Sequence, residues 1–266
     1  FLSKKDRDFI LKGKNVSTSF IQKLPTSKIN HRNFLQLFPY AVEQFDLSDY
    51  DLVVSSSASV AKGVLTNQDQ LHICYCHSPM RYAWDLYFDY LKDKNLSFGI
   101  KSIYARKVLH KLRTWDLLSS NRVDFFVANS EFIAKRIRKI YNREATVIYP
   151  PVDIEDFVLE KEKEEYYVTA SRLVSYKKID IIVKAFNQMP HKILKVVGDG
   201  PDLKKIKNIS KGNIQILGSL EKKDLIKTIQ KAKAFIYAAE EDFGILPVEA
   251  QSCGTPIIAY NKGGLK

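Results

Sequence analysis

Cysteine is scarce. Cys74, Cys76 and Cys253 are all that 266 residues contain, which excludes a disulfide framework and suggests a reducing, cytosolic setting. Long apolar runs are also missing: none reaches the roughly 18 residues of a spanning helix. With 45% hydrophobic and 27% charged residues, the balance is that of a soluble globular chain of one large or two ordinary domains. Phe1-Leu2-Ser3-Lys4-Lys5 has the form of neither a cleavable leader nor a translation start. Asn261-Lys262-Gly263-Gly264-Leu265-Lys266 stops without finishing a helix. The expectation is a piece of a longer protein lacking both ends.

Acid is in short supply relative to base, and unevenly so. Residues 1–150 hold 23 Lys and Arg against 14 Asp and Glu, residues 151–266 hold 19 against 16, and the total is +12. The basic residues concentrate in two helical stretches, Lys101 to Arg113 and Lys135 to Arg143. Such faces are most often merely solvated; otherwise they suit an anionic membrane surface, a lipid-linked phosphate or a nucleic acid. Nucleic acid is disfavoured, because no RNP, helix-turn-helix or zinc-finger pattern is present. Solvated faces and a lipid-linked phosphate stay open beside peripheral association of the basic N-terminal half with an anionic membrane, the inner face of the cell membrane, which is the partner expected here.

The first fifty residues carry the least signal: a helix ending near Gly13, a strand around Val16 to Leu24 and a helix around Arg32 to Phe45 are expected. Clearer strands follow at Asp51 to Ser55, Leu71 to Cys76, Asp124 to Asn129 and Thr146 to Tyr149, with helices at Phe98 to Ser119 and Glu131 to Tyr141 between them. Pro150-Pro151-Val152-Asp153 breaks the rhythm and Glu160-Lys161-Glu162-Lys163-Glu164-Glu165 reads as a solvated connector, which puts a domain boundary between 150 and 165. Alternation then resumes from Tyr166 to Tyr260. The expected class is α/β: two Rossmann-like doubly wound domains, 1–150 and 151–266, both incomplete.

His72, Cys74 and Cys76 fall on one face of their strand, but no second ligand cluster follows at finger or ribbon spacing, so they read as core and not as a zinc site. His77 differs. It falls where the strand ends and Pro79 blocks continuation, at a rim with Arg81, Tyr82, Trp84 and Asp85.

The strongest chemical signal is Glu240-Glu241-Asp242-Phe243-Gly244-Ile245-Leu246-Pro247-Val248-Glu249, which follows the buried run Ala234 to Ala239 and opens a helix ended by Gly254. Glycine and free helix-start N–H groups suit an anion; carboxylates on either side of that anion make sense as acceptors for hydroxyls. A sugar joined through diphosphate to a ribose has that layout. Arg172 and Lys177, five residues apart where the chain leaves a strand, suit a diphosphate whose bond to a sugar is breaking. Gly198-Asp199-Gly200-Pro201 lacks the third glycine of the dinucleotide fingerprint, and suggests close backbone approach to some nucleotide rather than NAD. Taken singly, each of these is as easily a surface charge or a turn.

Taken together and in order, Ala170-Ser171-Arg172-Leu173 with Lys177, Val197-Gly198-Asp199-Gly200-Pro201, and Glu241-Asp242-Phe243-Gly244 through Glu249 to Gly254-Thr255-Pro256 resemble the retaining nucleotide-sugar glycosyltransferases of family 4, with the GT-B fold. Cys76-His77-Ser78-Pro79-Met80-Arg81-Tyr82 and Val127-Ala128-Asn129-Ser130 resemble the branch containing bacterial O-antigen mannosyltransferases. The resemblance covers roughly residues 50 to 264. It implies two domains facing a cleft, with Arg172 and Lys177 on the donor diphosphate, Glu241 on the transferred sugar and Glu249 on the ribose. Gly198, Gly200, Asp242, Phe243, Gly244 and Ile245 would line the donor site, and His77 would reach the sugar from the other domain. No bound metal or other cofactor is implied. The implied partners are a nucleotide-sugar donor, with mannose from GDP-mannose as the expectation, and a lipid-linked or glycan acceptor in cell-surface polysaccharide synthesis. A non-catalytic nucleotide-sugar-binding module of the same fold and a basic nucleic-acid binder are the alternatives.

Overall fold

Short runs of β-branched and aromatic residues separated by amphipathic helices set the architecture. The computed structural model describes residues 10–25, 31–152 and 154–266, and the chain divides into two units, Phe1–Ile148 and Tyr149–Lys266.

In the first unit α1 (Phe38–Glu43) precedes β1 (Leu52–Ser57) and β2 (Leu71–Cys76). Then come α2 (Tyr87–Asp93), α3 (Ile100–Ser120), β3 (Phe125–Ala128), α4 (Glu131–Tyr141) and β4 (Ala145–Val147). The four strands are parallel, in the order β1-β2-β3-β4. Strand alternation turns Val53, Ser55 and Ser57 inward along β1 and His72, Cys74 and Cys76 inward along β2. The two cysteines pack with Phe126, Ala128, Ile133 and Ile137 in one core. Leu52, Val54 and Phe125 lie exposed on the opposite face. α4 starts where Ser130 Oγ accepts from the Ile133 N–H at 3.2 Å and ends at Asn142, left-handed with φ 53°, the start and stop chemistry that short polar side chains supply.

The sequence reading fails earlier in the chain. The expected helix ending near Gly13 lies mostly outside the described residues, and the expected strand over Val16 to Leu24 is irregular backbone leading into a 3-10 turn, Phe20–Lys23. The helix expected over Arg32 to Phe45 splits into 3-10 turns, His31–Leu37, and α1. Pro39 sits in the first turn of α1, where its missing N–H costs nothing, and it disfavours a continuous helix through the preceding residue.

Two buried polar groups steady the first unit. His72 Nε2 lies 2.9 Å from Ser55 Oγ and Nδ1 3.0 Å from the Arg122 carbonyl; burial pushes its pKa down, against the opposing pull of the Arg122 carbonyl and Asp124. The folded protein thus holds a neutral imidazole, whereas the unfolded chain takes up a proton below about pH 6.5. Because the unfolded state binds more protons in that window, stability falls as pH drops from about 7 towards 5. Urea midpoints across this range should decline, and His72→Gln should flatten the decline; an unaltered slope in the variant would clear His72 of responsibility. The second group is Lys62, 1% exposed, whose ammonium lies 2.5 Å from Asp116 Oδ1. Asp116 Oδ2 also accepts from Trp84 Nε1 at 2.8 Å and Tyr141 OH at 2.9 Å.

The second unit runs β5 (Glu164–Ala170), α5 (Ile179–Asn187), β6 (Ile193–Val197), α6 (Leu203–Ile209), β7 (Ile214–Gly218), α7 (Lys222–Gln230), β8 (Ala232–Tyr237), α8 (Ile245–Ser252) and β9 (Ile257–Ala259). Its strands are parallel in the order β7-β6-β5-β8-β9. One core gathers Val168, Ile229, Phe235 and Ala250, another Leu173, Val183, Leu194 and Val196, as a sheet covered on both faces requires. The charged run at 160–165 is only partly a connector: Glu164 and Glu165 begin β5 and pair with Lys231 at 3.0 Å and Lys233 at 2.7 Å. A central strand can start with exposed acids because lysines flank the adjacent strand.

Candidate active site

The strand order reverses at β5. β6 and β7 extend the sheet on one side of it and β8 and β9 on the other, so the carboxyl ends of β5 and β8 frame the crevice where open α/β sheets bind ligands. Arg172 and Lys177 follow β5; Glu241 follows β8. The chain therefore delivers cations and a carboxylate to one place although 64 residues separate Lys177 from Glu241.

Lys177, at the end of a 3-10 turn, Ser175–Lys177, forms an ion pair with Glu241. Tyr237, at the end of β8, completes the group: its hydroxyl donates to Glu241 Oε1 at 2.9 Å and accepts from Lys177 Nζ at 3.1 Å. The two charged side chains are only 15% and 16% exposed, so solvent screens them weakly. Burial, and next the Glu241 charge, push the Tyr237 phenol well above its ordinary pKa, which keeps its proton in the bond to Glu241. Arg172 lies exposed in the loop after β5.

The loops are fixed by backbone contacts. Leu173 N–H donates to the Asp199 carbonyl at 2.9 Å, and Ser171 N–H to the Val197 carbonyl at 3.1 Å. A Cβ on Gly198 would lie 1.9 Å from the Ser171 oxygen, and one on Gly200 2.4 Å from that of Leu173. The close approach that these glycines permit is therefore to the Arg172 loop itself. The acidic loop is held in the same manner: Gly264 N–H donates to the Glu241 carbonyl at 2.7 Å, and Glu241 bridges Gly263 as in a parallel ladder.

α8 begins at Gly244, left-handed with φ 95°, and no side chain caps it. The N–H groups of Ile245 and its successors have no intrahelical acceptors, and together with the helix dipole they favour an anion. Asp242 and Phe243 precede them, the Phe243 ring stacked on Tyr149 at 5.7 Å. Glu249 is half-buried on α8. His77 belongs to the first unit, where its Nε2 lies 2.8 Å from Ser56 Oγ and its ring meets Tyr75 edge-on. Among the described residues no group of three or more His, Cys, Asp or Glu is placed to hold a metal ion, and no helix is long and apolar enough to cross a membrane. Sequence reasoning missed Tyr237 and the Gly263-Gly264 pair. The glycine doublet was a visible signal, whereas a tyrosine ending an apolar strand gives none.

These tandem parallel α/β units have the GT-B fold. Residues 6–156 match Glycosyltransferase Family 4 and residues 152–266 match Glycosyl transferases group 1, and the chain belongs to Glycosyltransferase Family 4. Among curated relatives, it is 36% identical over 109 residues to a GDP-mannose-dependent monoacylated alpha-(1-6)-phosphatidylinositol monomannoside mannosyltransferase of Corynebacterium glutamicum, covering 35% of this chain and 29% of that protein. It is 26% identical over 170 residues to the O-antigen chain mannosyltransferase RfbU of Salmonella typhimurium, covering 60% and 46%. The chain thus spans less than half the length of these curated relatives. Among solved structures, Anabaena HepE in complex with UDP superposes with a TM-score of 0.55 at 17% identity, over 91% of this chain and 66% of that one. The apo form of the lipopolysaccharide outer core galactosyltransferase WaaB gives 0.55 at 16%, over 98% and 69%.

Proposed function

We propose that the protein is a retaining glycosyltransferase that moves mannose from GDP-mannose to a lipid-linked glycan acceptor at the inner face of the cell membrane, in cell-surface polysaccharide synthesis. The observation that carries the reading is the group formed by Lys177, Tyr237 and Glu241 at the carboxyl ends of β5 and β8. The mannosyl and GDP assignments draw on the likeness to the two mannosyltransferase relatives.

In this reading the donor diphosphate meets Arg172, Lys177 and the uncapped N–H groups of α8. To receive it, Lys177 turns its ammonium from Glu241 towards the phosphates. Glu241, still hydrogen-bonded by Tyr237, is then available to sugar hydroxyls; Glu249 accepts from the ribose, and His77 contributes from the first unit. As the bond from the anomeric carbon to the diphosphate oxygen breaks, negative charge grows on that oxygen and the cations stabilise it. The acceptor hydroxyl attacks from the same face, and its proton passes to the departing phosphate oxygen. Neither glutamate acts as a nucleophile. Arg172 and Lys177 supply the charge neutralisation for which many phosphate-handling sites use a divalent ion, so the proposal calls for no metal.

A thermal-shift panel of GDP-mannose, UDP-glucose, UDP-galactose and UDP-N-acetylglucosamine tests the donor. At about 100 times its Kd a true donor contributes roughly 2.7 kcal/mol by linkage, which for units of this size raises Tm by several degrees. GDP-mannose is expected to give this rise together with GDP release when an acceptor is present. A rise with UDP sugars alone would overturn the mannosyl assignment, and a rise without turnover would make the protein a binding module.

A further inference from the structure

Two tyrosines border the Lys177–Glu241 group, and the donor chemistry assigned to that group uses neither. Tyr176 belongs to the 3-10 turn after β5 and Tyr260 follows β9; the two residues are 43% and 47% exposed. A half-exposed tyrosine is ordinary by itself. These two are set in place around one point.

A lysine and the surroundings of the acidic loop hold each of them. Lys177 Nζ lies 5.5 Å from the centre of the Tyr176 ring and 5.7 Å from that of Tyr237, besides forming the ion pair with Glu241. Lys178, left-handed with φ 55°, turns the chain into α5, and its ammonium lies 5.2 Å from the centre of the Tyr260 ring. Tyr260 N–H donates to the Tyr237 carbonyl at 2.9 Å, and the Tyr260 carbonyl accepts from the Lys262 N–H at 2.7 Å. Lys262 in turn pairs with Glu240 at 3.0 Å. Cation-on-ring contacts and backbone hydrogen bonds thus hold both tyrosines at the carboxyl end of the sheet, with ammonium and carboxylate groups beside them.

A pyranose ring matches that combination. One of its faces presents several C–H groups, made slightly positive by the neighbouring oxygens, and such a face rests on the negative face of an aromatic ring. The hydroxyls at its rim need donors and acceptors, which Lys178 and the Lys262–Glu240 pair supply. A nucleobase is the other flat ligand for two tyrosines. In the donor arrangement proposed above, however, Glu249 marks the ribose end and Glu241 the sugar end. Both tyrosines are tied to the Glu241 end, Tyr176 through Lys177 and Tyr260 through Tyr237.

We propose that Tyr176 and Tyr260 form a platform for a pyranose ring, the terminal sugar of the acceptor, beside the point of transfer. The second unit then reads the sugar of the acceptor, and a bare lipid phosphate does not satisfy it. The inference rests on the assignment of Glu241 to the transferred sugar, but its test needs neither donor nor turnover.

The test is a ligand-observed NMR titration of the protein, without nucleotide, against methyl α-D-mannopyranoside, methyl β-D-glucopyranoside, methyl β-D-galactopyranoside and the open-chain polyol sorbitol. At least one glycoside is expected to bind in the millimolar range, and sorbitol, which has no ring face, is not. Tyr176→Ala and Tyr260→Ala should each weaken glycoside binding at least about fivefold, whereas Tyr176→Phe and Tyr260→Phe keep the ring and should stay within about twofold. Both side chains are half-exposed, so all four variants should melt within about 2 °C of the wild type and keep the GDP-mannose shift. No glycoside binding, sorbitol binding as well as the glycosides do, or alanine variants that bind like wild type would each overturn the proposal. So would phenylalanine variants as weak as the alanine ones, or a GDP-mannose shift lost together with glycoside binding. The expected glycoside pattern in a protein that gives no GDP-mannose shift would support the platform and remove the donor assignment instead.

Discussion

Arg172→Ala and Lys177→Ala are each expected to lower sugar transfer about a hundredfold or more, with the loss in kcat rather than in acceptor KM. The diphosphate they meet is already anionic in the bound donor and gains further charge as its bond to the sugar breaks, so donor KM should rise as well, while the part of the interaction that strengthens in the transition state is lost from kcat. Removing one preorganised partner of such charge costs about two to three powers of ten. Arg172 is exposed, and Arg172→Ala should leave Tm within about 1 °C. Lys177→Ala leaves Glu241 with the Tyr237 hydroxyl as donor, so a folded protein is expected there too. Steady-state kinetics of the two variants check the prediction, and wild-type turnover in both would remove these cations from the mechanism.

The largest expected effect on stability lies in the first unit, away from any chemistry. Lys62→Ala strips the cation from Asp116, which is 0% exposed and, among the described residues, keeps only the side-chain donors Trp84 and Tyr141. An unpaired buried charge costs about 3–5 kcal/mol, a large fraction of the roughly 5–15 kcal/mol by which domains are stable. Adding Asp116→Asn to Lys62→Met should recover much of the loss, because an amide oxygen still accepts from the indole and the phenol without needing a counter-charge. Urea unfolding of the single and double variants measures both. A double variant as unstable as Lys62→Ala would mean that lost packing around the lysine stem, not the stranded carboxylate, dominates.

Much of this organisation is local. Ser130 opens a helix because its hydroxyl caps the Ile133 N–H; Pro39 restarts one because its ring fixes φ; the alternation of β2 turns Cys74 and Cys76 inward. None of these needs a distant partner; the Ser130 cap and the β2 alternation were legible in a short window of sequence, whereas the break at Pro39 was passed over and a continuous helix expected across it. The α/β class followed from the same windows, and the motif residues Arg172, Lys177, Glu241 and Glu249 stood out by their order along the chain. The first fifty residues were read poorly because their polar, weakly periodic segments take their shape from proline and from neighbours rather than from propensity.

What sequence alone determined was the repeating strand-and-helix grammar and the chemical types gathered after strands, since backbone sterics and side-chain periodicity act over a few residues. Tertiary structure decided which of those residues meet. β5 and β8 become neighbours only when the sheet reverses its order, and that adjacency joins Lys177 to Glu241 and recruits Tyr237, whose surroundings no local pattern encodes. It also gave Gly198 and Gly200 their contact with the Arg172 loop and sealed Lys62 against Asp116. Such pairings depend on burial and on long-range strand order, and these exist only once the chain has closed on itself.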